Sequence, residues 1–235
     1  MNQMIEQLRV ELRNNSDEAT RKSTERFFKE AVVAYGVKSA LVGRIAKSNF
    51  DKIKNISKIE IFELCDELWK SGVMEEVFVA CDWSYRLNKQ YEKSDFELFE
   101  KWVSKYVSNW AMCDTFCNHN VGAIVEMYPE FLDRLKQWSK SDNRWLKRAA
   151  AVSLIIPAKK GKFLNDVFEI ADTLLMDTDD MVQKGYGWML KVASQSHQDE
   201  VFKYVIQNKS KMPRTALRYA IEKMPKELKL QAMAK

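Results

Sequence analysis

The sequence predicts an all-α protein whose helices form a curved α-solenoid. Its 235 residues include only seven Gly and four Pro, which is few for a chain that must turn between many strands. Apolar residues recur at helical spacing over long stretches. In addition, one motif returns along the chain at the length of a helix pair.

The repeated motif is a small polar turn followed by a bulky residue that opens an apolar helix. Taking Glu76, Trp110, Trp145, Met181 and Met212 as equivalent positions gives steps of 34, 35, 36 and 31 residues. A helix pair of this length cannot bury its apolar face alone, so neighbouring pairs are expected to stack into a solenoid. The alternative is an irregular bundle whose helices merely share a length.

The predicted elements follow from this pattern in chain order. Residues 1–56 are predicted to form N-terminal capping helices, and residues 57–235 about five helix-pair repeats. The capping helices are expected at about 2–13, 17–34 and 38–54. The first helices of the pairs are expected at 59–69, 96–106, 128–138, 165–175 and 199–207, and the second at 72–81, 109–118, 143–152, 179–188 and 212–220. Because no Pro/Ser-rich linker interrupts the chain, residues 1–235 are predicted to be one domain.

Turn chemistry supports several of the predicted breaks between helices. Ser94 followed by Glu97 has the spacing of a capping box, so a helix is expected to start there. Pro129 and Pro213 stand at or near helix starts, where the missing N–H costs little. Pro157 ends the apolar run AAAVSLII and precedes a basic loop.

Composition excludes several classes of protein. With 46% hydrophobic and 30% charged residues, the chain has the composition of a soluble globular protein. It contains no run of the ~18 to 20 apolar residues that a membrane span requires. Glu6 and Glu11 interrupt the apolar positions of the N-terminal segment, which argues against a signal peptide and predicts a cytoplasmic location.

The charge is unevenly distributed along the chain. The net charge is +5, but residues 1–120 carry 18 basic and 19 acidic side chains, whereas residues 121–235 carry 20 and 14. The second half therefore predicts a basic surface. By itself, such an excess is a weak indication of nucleic-acid binding.

Trp110 and Asp114 are the first candidate functional residues. They stand at i and i+4, so an indole and a carboxylate share one helical face. The equivalent positions of the next two repeats hold the small residues Ala149 and Gly185, so an Asp departs from the pattern of the repeat. The structural alternatives are a surface Asp beside a half-buried Trp, or an Asp that stabilises a helix terminus.

A second candidate is Arg148 in the segment RWLKRAA. It lies at i+3 from Trp145, is flanked by Arg144 and Lys147, and precedes three alanines that allow a ligand to come close. A guanidinium in this position could bind a phosphate bidentately. The alternative is an ion pair within the protein, for example with Asp142.

Trp188 follows two glycines in the segment KGYGWML. Gly185 and Gly187 each weaken a helix interior by roughly 1 kcal/mol relative to Ala, so they need a reason. Either they allow a ligand to approach while Trp188 presents its face, or they allow tight packing of helices around a core Trp.

No motif indicates a metal or a cofactor. Cys113, Cys117 and His119 lack a fourth ligand for a structural zinc site, and the four cysteines fit reduced core thiols better than disulfides. His197 is expected to face solvent. The sequence contains no GxxxxGK[ST], GxGxxG, HExxH or GxSxG motif, so nucleotide hydrolysis, dinucleotide redox chemistry, zinc proteolysis and serine hydrolysis have no support.

Over nearly its whole length the chain resembles the HEAT-like-repeat alkylpurine DNA glycosylases of the DNA alkylation repair enzyme family. The strongest segments are SNWAMCDTF, SDNRWLKRAA and QKGYGWML. The resemblance implies a solenoid of HEAT-like antiparallel helix pairs with a concave basic groove. It also implies hydrolysis of the N-glycosidic bond of cationic N3- or N7-alkylated purines in duplex DNA, without flipping of the base into a pocket.

The resemblance also implies roles for individual residues. Asp114 matches the catalytic carboxylate, Trp110 and Trp188 match aromatic residues that contact the deoxyribose of the lesion, and Arg148 matches an arginine that holds the DNA backbone. Phe27 stands where members of the family often carry a tyrosine, so a hydroxyl contact to DNA is expected to be lost. This departure puts affinity and substrate range in doubt, but it leaves the carboxylate in place.

The expected partner is double-stranded DNA that carries alkylated purines. No cofactor, membrane or obligate protein partner is expected, and the chain is predicted to act as a monomer in the cytoplasm, associated with the nucleoid when it is bound to DNA. Besides Phe27, the residues predicted to line or flank the DNA groove are Arg148, Arg144, Lys147, Lys159, Lys160, Lys162, Lys184, Arg214 and Arg218. Two alternatives stay open: a non-catalytic relative that binds branched or distorted DNA, and a protein-binding helical scaffold.

Overall fold

The computed structural model describes residues 2–234, and its regular structure is helical. Within these residues there is no strand, and the β-structure is limited to one isolated parallel bridge between Val33 and Val73. The all-α prediction is therefore confirmed. No helix in the described part of the chain is long and apolar enough to cross a membrane.

The chain divides into two compact units, Met1–Phe116 and Cys117–Lys235. The helices of the first unit are α1 (Asn2–Asn14), α2 (Glu18–Phe27), α3 (Ser39–Ile53), α4 (Lys58–Lys70), α5 (Met74–Arg86), α6 (Asp95–Tyr106) and α7 (Trp110–Phe116), with a 3-10 turn at Asn88–Gln90. Helix α5 is central to this unit because it packs against α3, α4 and α7. The single domain and the curvature of the predicted solenoid stay predictions.

An aromatic cluster forms much of the core of the first unit. The rings of Trp69, Phe99, Trp102 and Phe116 are buried, with centroids 5.2–6.0 Å apart in stacked and edge-on pairs. Such rings bury a large apolar area and prefer these offset geometries. Phe116 therefore anchors the C-terminal end of α7 in this core.

Two local predictions for the first unit are wrong. Helix α2 ends at Phe27 instead of residue 34, because Phe28 adopts an extended backbone and the chain stays non-helical up to α3. A helix does begin directly after Ser94, but the Ser94 side chain caps no N–H group of that helix. Instead, the Asp95 carboxylate accepts a hydrogen bond from the Glu92 N–H. The complete capping box lies at the start of α4, where Ser57 pairs with Glu60.

The second unit begins with a π-helical turn at Cys117–Val121. Its further elements are α8 (Gly122–Met127), a 3-10 turn (Pro129–Phe131), α9 (Leu132–Trp138), α10 (Arg144–Val152), α11 (Ile155–Lys159), α12 (Leu164–Leu174), α13 (Asp180–Ala193), α14 (Gln198–Asn208), α15 (Arg214–Ala220) and α16 (Lys226–Met233). Helix α13 is central here and packs against α10, α12 and α15.

The polar turn of the repeated motif is a helix cap. Side-chain oxygens of Asn109, Asn143 and Asp179 accept backbone N–H groups in the first turns of α7, α10 and α13, at 2.8–3.0 Å for the shortest bond of each. These bonds satisfy donors that a helix start leaves without a partner. The caps fix where each helix begins, and they therefore set the positions of Trp110 and Trp145 at the start of their helices.

The two glycines of α13 are explained by helix packing. A Cβ atom on Gly187 would lie 2.7 Å from Tyr219 Cβ and 2.8 Å from the Ala216 carbonyl oxygen in α15, and one on Gly185 would lie 3.2 Å from Arg148 Cγ in α10. Real Cβ atoms essentially never approach another atom as closely as a Cβ on Gly187 would approach Tyr219 and Ala216. Of the two interpretations offered by the sequence, the tight packing of helices is the one that the structure supports.

Candidate functional site

Trp110 and Asp114 lie on one face of α7, as predicted. The Asn109 side chain caps this helix by accepting the Met112 N–H at 3.0 Å, so the helix starts at Trp110 and reaches Asp114 one turn later. Both residues are half-buried. A carboxylate one helical turn from an aromatic ring is suited to stabilise positive charge on a ligand.

The Trp110 indole belongs to an aromatic cluster with two residues from the end of α2. Phe28 stacks on it with ring centroids 5.3 Å apart and an interplanar angle of 25°, and Phe27 meets it edge-on at 5.8 Å. Phe27 is 70% exposed, an unusual state for a large apolar side chain. The structure thus brings Phe27 and Trp110 together and adds Phe28, which the sequence did not single out.

This aromatic cluster borders a cleft of about 530 Å³ within the first unit. The residues around it are Ser23, Thr24, Arg26, Phe27, Phe28, Ser39, Met74, Phe78, Trp110 and Ala111. One side of the lining is aromatic and aliphatic, whereas α2 and α3 contribute hydroxyl groups and one guanidinium. A surface of this kind combines stacking with contacts to polar or anionic groups.

Trp188 lies in the second unit, half-buried on α13, beside a cleft of about 420 Å³. The other residues around this cleft are Asn118, His119, Ile155, Ile156, Lys159, Val192 and Gln195. Partial desolvation lowers the pKa of His119 from its ordinary value. Asn118 and His119 stand in the π-helical turn, a feature that is frequent at functional sites.

Arg148 is 5% exposed and sits between α10 and α13. Its Nη1 donates to the backbone carbonyl oxygen of Met181, and its stem contacts Gly185. The guanidinium that the sequence singled out thus has a packing role inside the second unit.

The two cations that flank Arg148 are held by carboxylates from the turn before α13. Arg144 Nε lies 2.8 Å from the Asp179 carboxylate, and Lys147 Nζ lies 2.5 Å from that of Asp177. The Arg144 guanidinium also lies 5.0 Å from the centroid of the Trp145 ring. These pairs order the two side chains but also offset their positive charge.

The remaining predicted cations fall into two groups. Lys160 and Lys162 both contact the Glu126 carboxylate, at 2.7 and 3.0 Å, and Lys184 contacts Asp180 at 3.1 Å. By contrast, Lys159, Arg214 and Arg218 are exposed and make no ion pair within residues 2–234. The second group is the one whose charge is fully available to an anionic ligand.

Two smaller predictions are also decided by the structure. His197 does not simply face solvent, because its Nε2 lies 3.0 Å from the Gly161 carbonyl oxygen and its ring is partly buried. All four cysteines are buried free thiols, and burial raises the pKa of Cys65 and Cys81. The thiols of Cys65 and Cys81 are therefore protonated at pH 7.

Sequence reasoning missed two buried carboxylates in the first turn of α5. Glu75 accepts the backbone N–H groups of Tyr35, Gly36 and Val37 at 2.8–3.0 Å. Glu76 binds the Arg9 guanidinium through Nε and Nη2 and accepts from the Tyr35 hydroxyl at 2.5 Å. The signal that could have found them is two adjacent glutamates inside the apolar segment GVMEEVFVAC.

Comparison with known proteins decides the family of the chain. A model of the family described as DNA alkylation repair enzyme matches residues 8–224. The chain belongs to this family. Membership indicates an enzyme of DNA repair, with DNA as its partner.

Two solved structures share the fold of this member of the DNA alkylation repair enzyme family. One is described as a predicted DNA alkylation repair enzyme from Enterococcus faecalis; it has a TM-score of 0.78 and 15% sequence identity, and the match covers 90% of this chain and 98% of that one. The other is smu.31 from Streptococcus mutans UA159, with a TM-score of 0.58, 22% identity and coverage of 79% and 98%. At these identities the likeness establishes the fold alone. No curated protein matches the sequence.

Proposed function

We propose that this protein is a DNA glycosylase that hydrolyses the N-glycosidic bond of N3- or N7-alkylated purines in duplex DNA. The observation that carries the proposal is the position of Asp114, one helical turn from Trp110, whose indole belongs to an aromatic cluster with Phe28 and the exposed Phe27. Membership of the DNA alkylation repair enzyme family supports DNA as the substrate.

The reaction requires little more than charge stabilisation. An N3- or N7-alkylated purine is cationic, so its departure from the sugar releases a neutral base and needs no general acid. Positive charge develops on the deoxyribose as an oxocarbenium ion. A fixed carboxylate and an indole face both stabilise such a cation, through electrostatic and cation–π interactions.

Two residues then have definite roles in the proposed reaction. Asp114 stabilises the oxocarbenium ion and orients the attacking water, while Trp110 presents an aromatic face to the sugar. Enzymes that act on the ring atoms of a base usually extrude it into a fitted pocket. Here the bond that breaks joins the base to the sugar, and the exposed Phe27 and the half-buried Trp110 are suited to contact from the backbone side of the duplex.

The test is excision of 7-methylguanine from duplex DNA at low salt, with abasic sites scored against a reaction without enzyme. Asp114→Asn keeps the shape of the side chain but removes its charge, and we expect a loss of at least about 100-fold in the rate. Asp133→Asn on α9 is the matched control, because this exposed aspartate lies outside the candidate site. Its rate is expected to equal that of the parent.

The other outcomes point to different functions. Binding to duplex DNA without release of the base would favour the non-catalytic binder of branched or distorted DNA. Equal rates for the parent and Asp114→Asn would remove Asp114 from the mechanism. Absence of any DNA affinity at low salt would favour a protein-binding scaffold.

A further inference from the structure

The segment 28–38, here called the strap, joins α2 to α3 and begins at the candidate site. It is non-helical throughout, and its first residue, Phe28, stacks on Trp110 with ring centroids 5.3 Å apart. Backbone groups in such a segment lack the partners that a helix or sheet would supply. The position of Phe28 is therefore set by the end of α2 on one side and by what holds the rest of the strap on the other.

Glu75 holds the far end of the strap through its backbone. The carboxylate is 4% exposed, and Oε1 accepts the N–H groups of Gly36 at 2.8 Å and Val37 at 3.0 Å, while Oε2 accepts that of Tyr35 at 3.0 Å. A buried carboxylate must be compensated by donors, and hydrogen bonds to a charged acceptor are stronger than neutral ones. Three consecutive amides are thus fixed by one side chain.

Further contacts hold the strap in register with α5. The Met74 N–H donates to the Val33 carbonyl oxygen at 2.9 Å, and Glu76 accepts from the Tyr35 hydroxyl while it binds Arg9. Gly36 has a φ of +89°, and a Cβ atom there would lie 2.6 Å from the Asp17 carbonyl oxygen. The turn that faces Glu75 can therefore be formed only by glycine.

Helix α5 connects these contacts to the candidate site. Met74, directly before the two glutamates, and Phe78, two residues after them, line the same cleft as Phe28 and Trp110. The helix also packs directly against α7, which carries Trp110. One helix thus positions both sides of the aromatic cluster, through α7 on one side and through the strap on the other.

We propose that Glu75 is a positioning residue of the Trp110 site, which fixes the stacking of Phe28 on Trp110 by binding the backbone amides of residues 35–37. The inference deepens the proposed function and rests on it only in taking this cluster as the DNA site. Glu75 touches no substrate in this account; it acts through the strap.

The test compares Glu75→Gln with Val79→Ala. An amide accepts hydrogen bonds only at its oxygen, so the Gln NH₂ group faces at least one of the three N–H donors of the strap. Val79 is fully buried in the same helix, so its truncation weakens the core but leaves the carboxylate in place. The second variant therefore reports what a loss of stability alone does.

Two readouts are independent of catalysis. In native-state hydrogen exchange, the amides of residues 35–37 are expected to exchange about ten-fold faster in Glu75→Gln than in Val79→Ala, after correction for global stability. The accessibility of Trp110 to acrylamide, taken as the difference between each protein and its Trp110→Phe counterpart, is expected to rise only in Glu75→Gln. Unchanged exchange or unchanged accessibility would overturn the proposal.

Excision of 7-methylguanine provides the third readout. If Glu75 positions the site, kcat/KM falls about ten-fold or more in Glu75→Gln and stays near that of the parent in folded Val79→Ala. Equal losses in the two variants would reduce Glu75 to a structural role. If the parent itself releases no base, the glycosylase proposal fails, whereas the exchange and quenching results still decide whether Glu75 positions Phe28 and Trp110.

Discussion

Arg148 donates a hydrogen bond to the backbone carbonyl oxygen of Met181 and so connects α10 to the first turn of α13. The guanidinium is buried, and the absence of a side chain on Gly185 makes room for its stem. The contact explains why a glycine faces the arginine, since a side chain at position 185 would crowd the Arg148 stem and separate the two helices. Any contact of this residue with DNA would have to be made in addition to its packing role.

Replacement of Arg148 should therefore reduce stability directly. Arg148→Ala removes the hydrogen bond to the Met181 carbonyl group and opens space beside Gly185, so the free energy of unfolding is expected to fall by about 2–4 kcal/mol. Urea denaturation measures this change. Arg218→Ala, at an exposed position, is the control and is expected within about 0.5 kcal/mol of the parent. Equal stability of the two variants would contradict the packing role.

The glycines provide a second prediction, with opposite signs at two sites. Gly187→Ala forces the backbone of α13 away from Tyr219 and Ala216, and we expect a loss of about 1–3 kcal/mol. Gly43 lies within α3 with no atom within 4 Å of the Cβ position. Gly43→Ala is therefore expected to raise the free energy of unfolding by about 0.5–1 kcal/mol through helix propensity. Thermal unfolding of both variants tests the pair.

Much of the fold could be predicted from the sequence because the repeat carries its own local signals. Asn109, Asn143 and Asp179 are residue types that favour a helix start, because their side chains accept N–H groups of the first turn. The apolar periodicity that follows each of them is also local in sequence. The strap could not be predicted in this way. Its conformation depends on Glu75, about 40 residues distant, and on a glycine whose neighbours come from α2.

The candidate site was predicted in part, for a related reason. The pairing of Trp110 with Asp114 is a property of helical spacing and follows from the sequence alone. Phe28 was missed because its contact with Trp110 requires α2 to end at Phe27. The ion pairs of Arg144 and Lys147 with residues of a later turn are likewise tertiary, so charge counting overestimates how much positive charge is available to a ligand.

The Glu126 carboxylate predicts a pH dependence of stability. Burial alone would raise its pKa, but hydrogen bonds from Lys160 and Lys162 outweigh this effect and hold the pKa below its ordinary value of 4.5. The folded state therefore binds a proton on Glu126 less readily than the unfolded state does. The stabilisation that the ionised carboxylate contributes is complete above the ordinary pKa, and it is lost as the pH falls through the lowered pKa of the folded state.

Glu126→Gln isolates this contribution. The difference in unfolding free energy between the parent and Glu126→Gln is expected to be constant from pH 6 to 8 and to shrink below about pH 4.5. Its size should stay under about 1 kcal/mol, since the two lysines are half-exposed. Glu227→Gln on α16 controls for the loss of one negative charge. A difference that grows in acid would show that the sign is wrong.

The exposed cations of the second unit give the last prediction, on the salt dependence of DNA binding. Lys159, Arg214 and Arg218 make no ion pair among the described residues, so each can release a counterion from a phosphate. Replacing any one by Ala should reduce the slope of log K against log [salt] by about 0.9 if that residue contacts a phosphate. Lys47→Ala on α3 is the control for lost charge and should leave the slope unchanged.

Measurement by fluorescence anisotropy on unmodified duplex DNA separates binding from catalysis. A parent slope near zero would remove the basic DNA surface predicted for the second half of the chain. A steep slope that none of the three substitutions changes would place the contacts on other cations.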